Sequence, residues 1–139
     1  MLVINAENLI MGRVASFCAK KALQGEEIII INSEKAVITG SKKDLLQTFK
    51  TRNDLIVKGN PRHGPKAIRM PDQILRASIG GMVPKNKTGR NAIAKVKAFI
   101  GVPDKFKETE VVDLQNLKVD ETKNYLHIGE LSNLLGARW

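Results

Sequence analysis

The sequence of 139 residues predicts an α/β fold with a small, mostly parallel sheet. Two aliphatic runs, residues 2–4 and 27–31, have the length and β-branched content of buried strands. The second run is continuously apolar, which is typical of a strand covered on both faces. Between the runs, apolar residues recur at the spacing of one helix face. Strand, helix and strand in this order predict a βαβ unit with a right-handed crossover.

Two helices and a short strand are predicted from the capping residues and apolar positions of the N-terminal half. Asn8 is the expected N-cap of the first helix, which places Cys18 on its buried face. No histidine or acid is spaced to activate this thiol, so we expect Cys18 to be inert. A short strand is predicted at residues 36–39. Ser41 and Asp44 have the spacing of a capping box, and we expect the helix that they open to reach about Val57.

Glycine and proline divide the C-terminal part. Pro71 suits the first turn of a short helix, which we expect the glycines at 80–81 to end. A further helix is predicted at residues 92–100, because its apolar residues recur at helical spacing. A strand at residues 125–128 and a short helix that stops at Gly136 complete the elements.

Composition excludes several classes of protein. Length and the absence of a linker predict one domain over residues 1–139. One cysteine and two histidines cannot form a disulfide or a four-ligand zinc site, so we expect no metal and no cofactor. The longest purely aliphatic run, residues 28–31, is too short for a membrane span. No secretory leader opens the sequence, and we expect a cytoplasmic protein.

Positive charge is concentrated in residues 50–97, which we call the basic segment. It holds twelve lysines and arginines against Asp54 and Asp72, a net charge of +10 in a chain whose total is +9. A merely solvated surface would intersperse the two signs, so this clustering indicates a polyanionic partner. The basic segment contains no aromatic residue on which single-stranded bases could stack. Helix-turn-helix and zinc-finger spacings are also missing. Folded RNA, held through phosphate and ribose, is the best match.

An enzyme that handles phosphate is the alternative from another class. Residues 59–66 have the four-residue gap of a phosphate-binding loop. However, Pro61 and Pro65 each remove a backbone donor, and Ala67 stands where a hydroxyl should hold the metal. His63 has no carboxylate partner in the loop that would make it a general base. We therefore expect no catalysis.

A resemblance to a known family rests on three motifs. Residues 81–85 read Gly-Met-Val-Pro-Lys and are followed by Gly89-Arg90, while residues 11–15 and 32–40 agree in order and spacing. They resemble the ribosomal protein L13 family of the large subunit, and residues 129–139 are similar to its archaeal branch. The resemblance implies a three-layer α/β domain with a structural and assembly role. It also implies binding to large-subunit ribosomal RNA beside neighbouring ribosomal proteins. Gly80 departs from the family, which often has a cation there.

Candidate RNA-binding residues come from the resemblance and from the basic segment. The resemblance implies RNA contacts by Arg13, Lys85, Lys87 and Arg90. The basic segment adds Arg52, Lys58, Arg62, His63, Lys66, Arg69, Asn86 and Lys97. Arg90 and Lys97, seven residues apart, are expected on one side of the helix predicted at 92–100. Gly81 is expected to allow close backbone approach or a positive φ.

A free RNA-binding regulator is a third alternative. It would differ from a ribosomal component in not sedimenting with ribosomal particles.

Overall fold

The computed structural model describes residues 1–55, 58–65, 68–107, 109–112, 114–120 and 124–139. The strands are β1 (Leu2–Asn5), β2 (Ile28–Ile31), β3 (Val37–Thr39), β4 (Val96–Ala98), β5 (Val111–Val112) and β6 (Tyr125–His127). The helices are α1 (Met11–Leu23), α2 (Lys42–Asp54), α3 (Pro71–Met82), α4 (Lys87–Ala94) and α5 (Ile128–Leu134). No helix within these ranges is long and apolar enough to cross a membrane.

Four parallel strands form the central sheet, in the order β4-β2-β1-β5. Strands β3 and β6 form a separate antiparallel pair. The parallel pairing of β1 with β2 around α1 confirms the predicted α/β class and the βαβ unit.

The two faces of the sheet are covered differently. Ile28 and Ile30 of β2 pack in the main core, together with buried residues of α1 and α3. Ile29 and Ile31 point to the other face, where Phe99 and the short 3-10 helix Asp104–Phe106 cover them. Every residue of β2 is therefore buried, as its continuous apolar pattern predicts.

Helix α1 begins later than predicted, because Asn8 does not cap it. The backbone of Asn8 is left-handed, with φ of 58°. Its N–H donates to the carbonyl of Lys35 at 3.2 Å, and its own carbonyl accepts from the N–H of Val119 at 3.1 Å. Asn8 therefore joins neighbouring segments, and the N-cap position falls to Ile10, whose side chain makes no cap.

Helix α2 is opened by the predicted cap but is shorter than expected. The N–H of Asp44 donates to Ser41 Oγ at 3.2 Å, which confirms the cap. The helix ends at Asp54, because Leu55 is already extended. The rest of the expected extension, residues 56–57, lies outside the described residues.

The prediction for residues 80–100 was wrong in two places. Helix α3 continues through both glycines to Met82 instead of ending there. The helix predicted at 92–100 stops at Ala94, and β4 pairs in parallel with β2, Val96 against Ile28. Val96 is fully buried and Lys97 exposed, so the local alternation is that of a strand.

A glycine is required at position 89, not at 81. Residues 83–86 turn back from α3 into α4, and a Cβ at Gly89 would lie 1.8 Å from the carbonyl oxygen of Pro84. Asn86 caps α4 at the same turn, accepting from the N–H of Gly89 at 2.8 Å. Gly81 is helical, has no positive φ, and an added Cβ would meet nothing within 4 Å. The expected close approach therefore belongs to Gly89.

These two glycines form a matched pair of test positions. Gly89→Ala should lower the free energy of unfolding by about 1–3 kcal/mol, because the methyl group collides with a backbone carbonyl. Gly81→Ala, inside an exposed helix turn, should raise it by about 0.5–1 kcal/mol. Urea denaturation of both variants measures the difference. Equal effects of the two substitutions would contradict the close contact at Gly89.

Cys18 should behave as a buried thiol. It is inaccessible on α1, and burial raises its pKa to about 12. The native protein should therefore resist iodoacetamide at pH 8, because alkylation requires the exposed thiolate. Mass spectrometry along a urea series should show labelling that rises with global unfolding. Rapid labelling of the folded protein would mean that α1 opens locally.

Candidate nucleic-acid interface

The candidate residues that the structure describes are all exposed. They are Arg13, Arg52, Lys58, Arg62, His63, Arg69, Lys85, Asn86, Lys87, Arg90 and Lys97. The twelfth candidate, Lys66, lies outside the described residues. Exposure leaves these side chains accessible to a large partner.

The charge of the basic segment is not balanced by acids within the described ranges. Four ion pairs occur there: Lys21–Glu26, Lys35–Glu7, Lys42–Glu130 and Lys107–Asp104. All four lie outside residues 50–97. Lys21 and Glu26 are 3.1 Å apart. The hydrogen bond from Lys35 lowers the pKa of Glu7. The positive potential of the described cations in the basic segment is therefore not reduced by ion pairs, and it extends from the surface into the solvent.

The turn between α3 and α4 brings two candidates together. Lys85 and Arg90 line one open depression of about 190 Å³, together with Gly89 and Ile93. Lys87 is the first residue of α4, whose first turn contains no acid. Cations at the positive end of a helix do not favour its stability, but together with that end they attract an anion. This turn is therefore suited to a phosphate group.

Asn86 has a structural task in the same turn. Its Oδ1 accepts the N–H of Gly89 as the helix cap, which orients the side chain and leaves the amide NH₂ without a partner among the described residues. Sequence reasoning missed both the cap and the role of Gly89. A glycine three residues after an asparagine, inside a short helical stretch, is the signal that could have indicated them.

Lys97 lies apart from Arg90, contrary to the prediction of a shared helix side. It is on the edge strand β4 in register with Ile29, so its side chain points away from the helical face. It lines a depression of about 430 Å³ with Asn91 and Lys95. Lys95 was not among the candidates, although it adjoins Lys97 along this edge. Its Nζ donates to the carbonyl of Gly25 at 3.0 Å.

Arg52 lies at the end of α2, beside an apolar groove. Its guanidinium is 5.5 Å from the centre of the Phe49 ring, a cation–π distance. Arg52 and Phe49 line this groove of about 380 Å³ together with Pro65 and Ile68. Arg52 is therefore held by an aromatic ring with its N–H groups still unpaired among the described residues.

Lys58, Arg62 and His63 lie on the connection after α2. Asn60 forms a local turn there, accepting from the N–H of Arg62 through its side chain at 3.2 Å and from the N–H of His63 through its carbonyl at 3.1 Å. A phosphate-binding loop would follow a strand. The described element that precedes this connection is helix α2, so the enzyme alternative gains no support.

Arg13 and Arg69 are held by other parts of the fold. Arg13 lies in the first turn of α1. Arg69 lies just before α3, and its backbone carbonyl accepts a 2.6 Å hydrogen bond from Ser132 Oγ of α5. The candidates thus occupy several surfaces, and the α3–α4 turn gathers two of them, Lys85 and Arg90, around a single depression.

Comparison with known proteins gives consistent matches. The model of the ribosomal protein L13 family matches residues 1–105. Large ribosomal subunit protein uL13 of Methanocaldococcus jannaschii is 43% identical, and that of Methanococcus maripaludis 42%, each over the full length of both chains. The uL13 protein of Thermoplasma acidophilum is 39% identical over 99% of each chain. With three quarters of its length matched by the family model and relatives of this similarity, the chain belongs to the ribosomal protein L13 family.

Proposed function

We propose that this chain is a structural component of the large ribosomal subunit and binds folded ribosomal RNA there. Its family is one of ribosomal structural proteins rather than enzymes, and its relatives are named as large-subunit proteins. The observation that best supports RNA binding is the exposed positive charge of the basic segment, which ion pairs do not balance. Its partners are then ribosomal RNA and adjacent ribosomal proteins, on ribosomes of the cytoplasm.

Phosphate recognition is the mode of binding that the geometry favours. At the α3–α4 turn, Lys85, Lys87 and Arg90 supply charge, and the cap formed by Asn86 uses its acceptor oxygen. Contacts of cations with phosphates position a protein but carry little sequence information. This turn would hold an RNA backbone of suitable shape instead of identifying bases.

The aromatic ring adjacent to the basic segment does not favour single-stranded RNA. Phe49 is half-buried, packs against the core, and has the Arg52 guanidinium over its ring. A ring covered in this way is not an open stacking platform for a base. The described surface therefore favours folded RNA.

Sedimentation tests the proposed function directly. The tagged protein should migrate with large ribosomal subunits in a sucrose gradient at low salt and leave them as salt increases. Recovery at the top of the gradient at every salt concentration would contradict a ribosomal role. It would favour the free RNA-binding regulator.

Salt should weaken RNA binding steeply. Each neutralised phosphate should contribute a slope of about 0.7–0.9 in log affinity against log salt concentration. Filter binding or fluorescence anisotropy with large-subunit ribosomal RNA, between about 50 and 200 mM salt, gives this slope. An affinity nearly independent of salt would exclude a mechanism dominated by phosphate contacts.

The α3–α4 turn should hold RNA without reading its sequence. Replacing Lys85, Lys87 and Arg90 together by Ala should reduce affinity for ribosomal RNA and for an unrelated folded RNA by similar factors, and flatten both salt slopes. The fold should persist, because all three side chains are exposed and Lys87→Ala removes a cation from a helix N-terminus. Circular dichroism checks the helix content.

A charge-matched control separates this turn from net charge alone. Replacing Lys20, Lys43 and Lys105 by Ala removes three exposed cations outside the basic segment. This control should retain most of the affinity. A loss equal to that of the first triple variant would assign the binding to total charge, and a loss confined to the native RNA would mean that the turn reads bases or a unique shape.

A further inference from the structure

A buried hydroxyl of helix α5 forms a hydrogen bond with the backbone of the basic segment. It lies at Ile128–Leu134, beyond residues 1–105 that the family model matches. Ser132 has no exposed surface, and its Oγ donates to the backbone carbonyl of Arg69 at 2.6 Å. This hydrogen bond joins two positions 63 residues apart in sequence. It ties the C-terminal segment to a candidate RNA-binding residue.

The helix that carries Ser132 is itself firmly placed. Ile128 and Leu131 are fully buried, and the N–H of Ile128 donates to the carbonyl of Ala36 at 2.8 Å. Gly129 packs so closely that a Cβ there would lie 3.1 Å from the carbonyl oxygen of Glu34. A donor on such a helix has a fixed position relative to the sheet. It can therefore hold the neighbouring backbone at Arg69 in one place.

Arg69 is fixed through its backbone and free at its side chain. The residue is exposed, and within the described ranges its guanidinium makes no hydrogen bond and no ion pair. One nitrogen, Nη1, lies 4.0 Å from the position that a Cβ would occupy at Gly136, so the side chain runs along the end of α5. Among the described residues nothing occupies the five N–H donors of the guanidinium, which can therefore bind a phosphate group.

We propose that Ser132 is a positioning residue, which fixes the Arg69 backbone so that the guanidinium is held in place for an RNA phosphate. The inference rests on the proposed function and adds to it a task for the C-terminal segment. A side chain whose starting point is already ordered loses less conformational freedom on binding, which favours affinity. Without the hydroxyl, the Arg69 carbonyl would lose the donor that holds it against α5, and the segment before α3 would be free to shift toward another donor.

A second buried serine provides a matched control. Ser33 also has no exposed surface, and its Oγ donates to the backbone carbonyl of Phe99 at 2.7 Å. Phe99 lies outside the basic segment. Removing either hydroxyl costs one buried hydrogen bond, but only Ser132 acts on a candidate RNA-binding residue.

The test is a double-mutant cycle on RNA affinity. Ser132→Ala, Arg69→Ala, the double variant and Ser33→Ala are titrated with large-subunit ribosomal RNA at one salt concentration, and their thermal unfolding is measured in parallel. Ser132→Ala should weaken binding by about 2–10-fold, the equivalent of one hydrogen bond. The double variant should bind no more weakly than Arg69→Ala alone. Ser33→Ala should lower the melting temperature like Ser132→Ala but leave RNA affinity unchanged.

Three outcomes would overturn the positioning role. The first is an unchanged RNA affinity of Ser132→Ala. The second is a loss of affinity on adding Ser132→Ala to Arg69→Ala that equals its loss in the parent protein. The third is an equal loss of affinity in Ser33→Ala. An unchanged affinity of Arg69→Ala would also overturn it while leaving the proposed function intact. Failure of the parent protein to bind ribosomal RNA would instead refute the proposed function. If Ser132→Ala does not fold, Ser132→Cys fills the same space with a weaker donor and enters the same cycle.

Discussion

The burial of β2 on all sides is the constraint on which the rest of the fold depends. Four consecutive isoleucines, each contributing about 1.5–3 kcal/mol when fully buried, require apolar cover on both faces of the sheet. Helices α1 and α3 cover one face of the strand, and Phe99 and Phe106 cover the other. The ring centres of these two phenylalanines are 5.9 Å apart. The backbone of β2 is paired on both edges, by β1 and β4. Segments distant in sequence are thereby brought against one strand.

Polar contacts at the carboxyl end of β2 then fix its neighbours. Asn32, left-handed with φ of 54°, donates from Nδ2 to Asn5 Oδ1 at 2.9 Å, which joins the ends of β2 and β1. The next residue, Ser33, donates to the carbonyl of Phe99 just beyond β4. Asn32 and Ser33 thus form hydrogen bonds within the protein at this end of the sheet. Helix α5, which carries the hydroxyl of Ser132, packs against the residues that follow: the N–H of Ile128 donates to the carbonyl of Ala36.

The ion pairs and the clustered cations occupy different parts of the surface. The four ion pairs of the described chain lie outside the basic segment, while Lys85, Lys87 and Arg90 surround a helix N-terminus that they do not stabilise. Such an arrangement is unfavourable for the isolated protein and favourable once phosphate groups approach. It explains why clustered charge indicates a partner rather than a fold.

Local patterns in the sequence determined the βαβ unit, the Ser41 cap, the buried state of Cys18 and the polyanionic class of the partner. Each depends on residues close together in the chain or on total charge. Only the tertiary structure decided that Val96 belongs to a strand, since its apolar spacing fits a helix equally well and its pairing partner, Ile28, is distant in sequence. It likewise decided that glycine is required at 89 rather than 81, because the Pro84 carbonyl that excludes a side chain reaches Gly89 only after the chain folds back. Arg90 and Lys97 are separated for the same reason. Residues 96–98 pair with β2 as the edge strand of the sheet, although their sequence pattern would also continue helix α4.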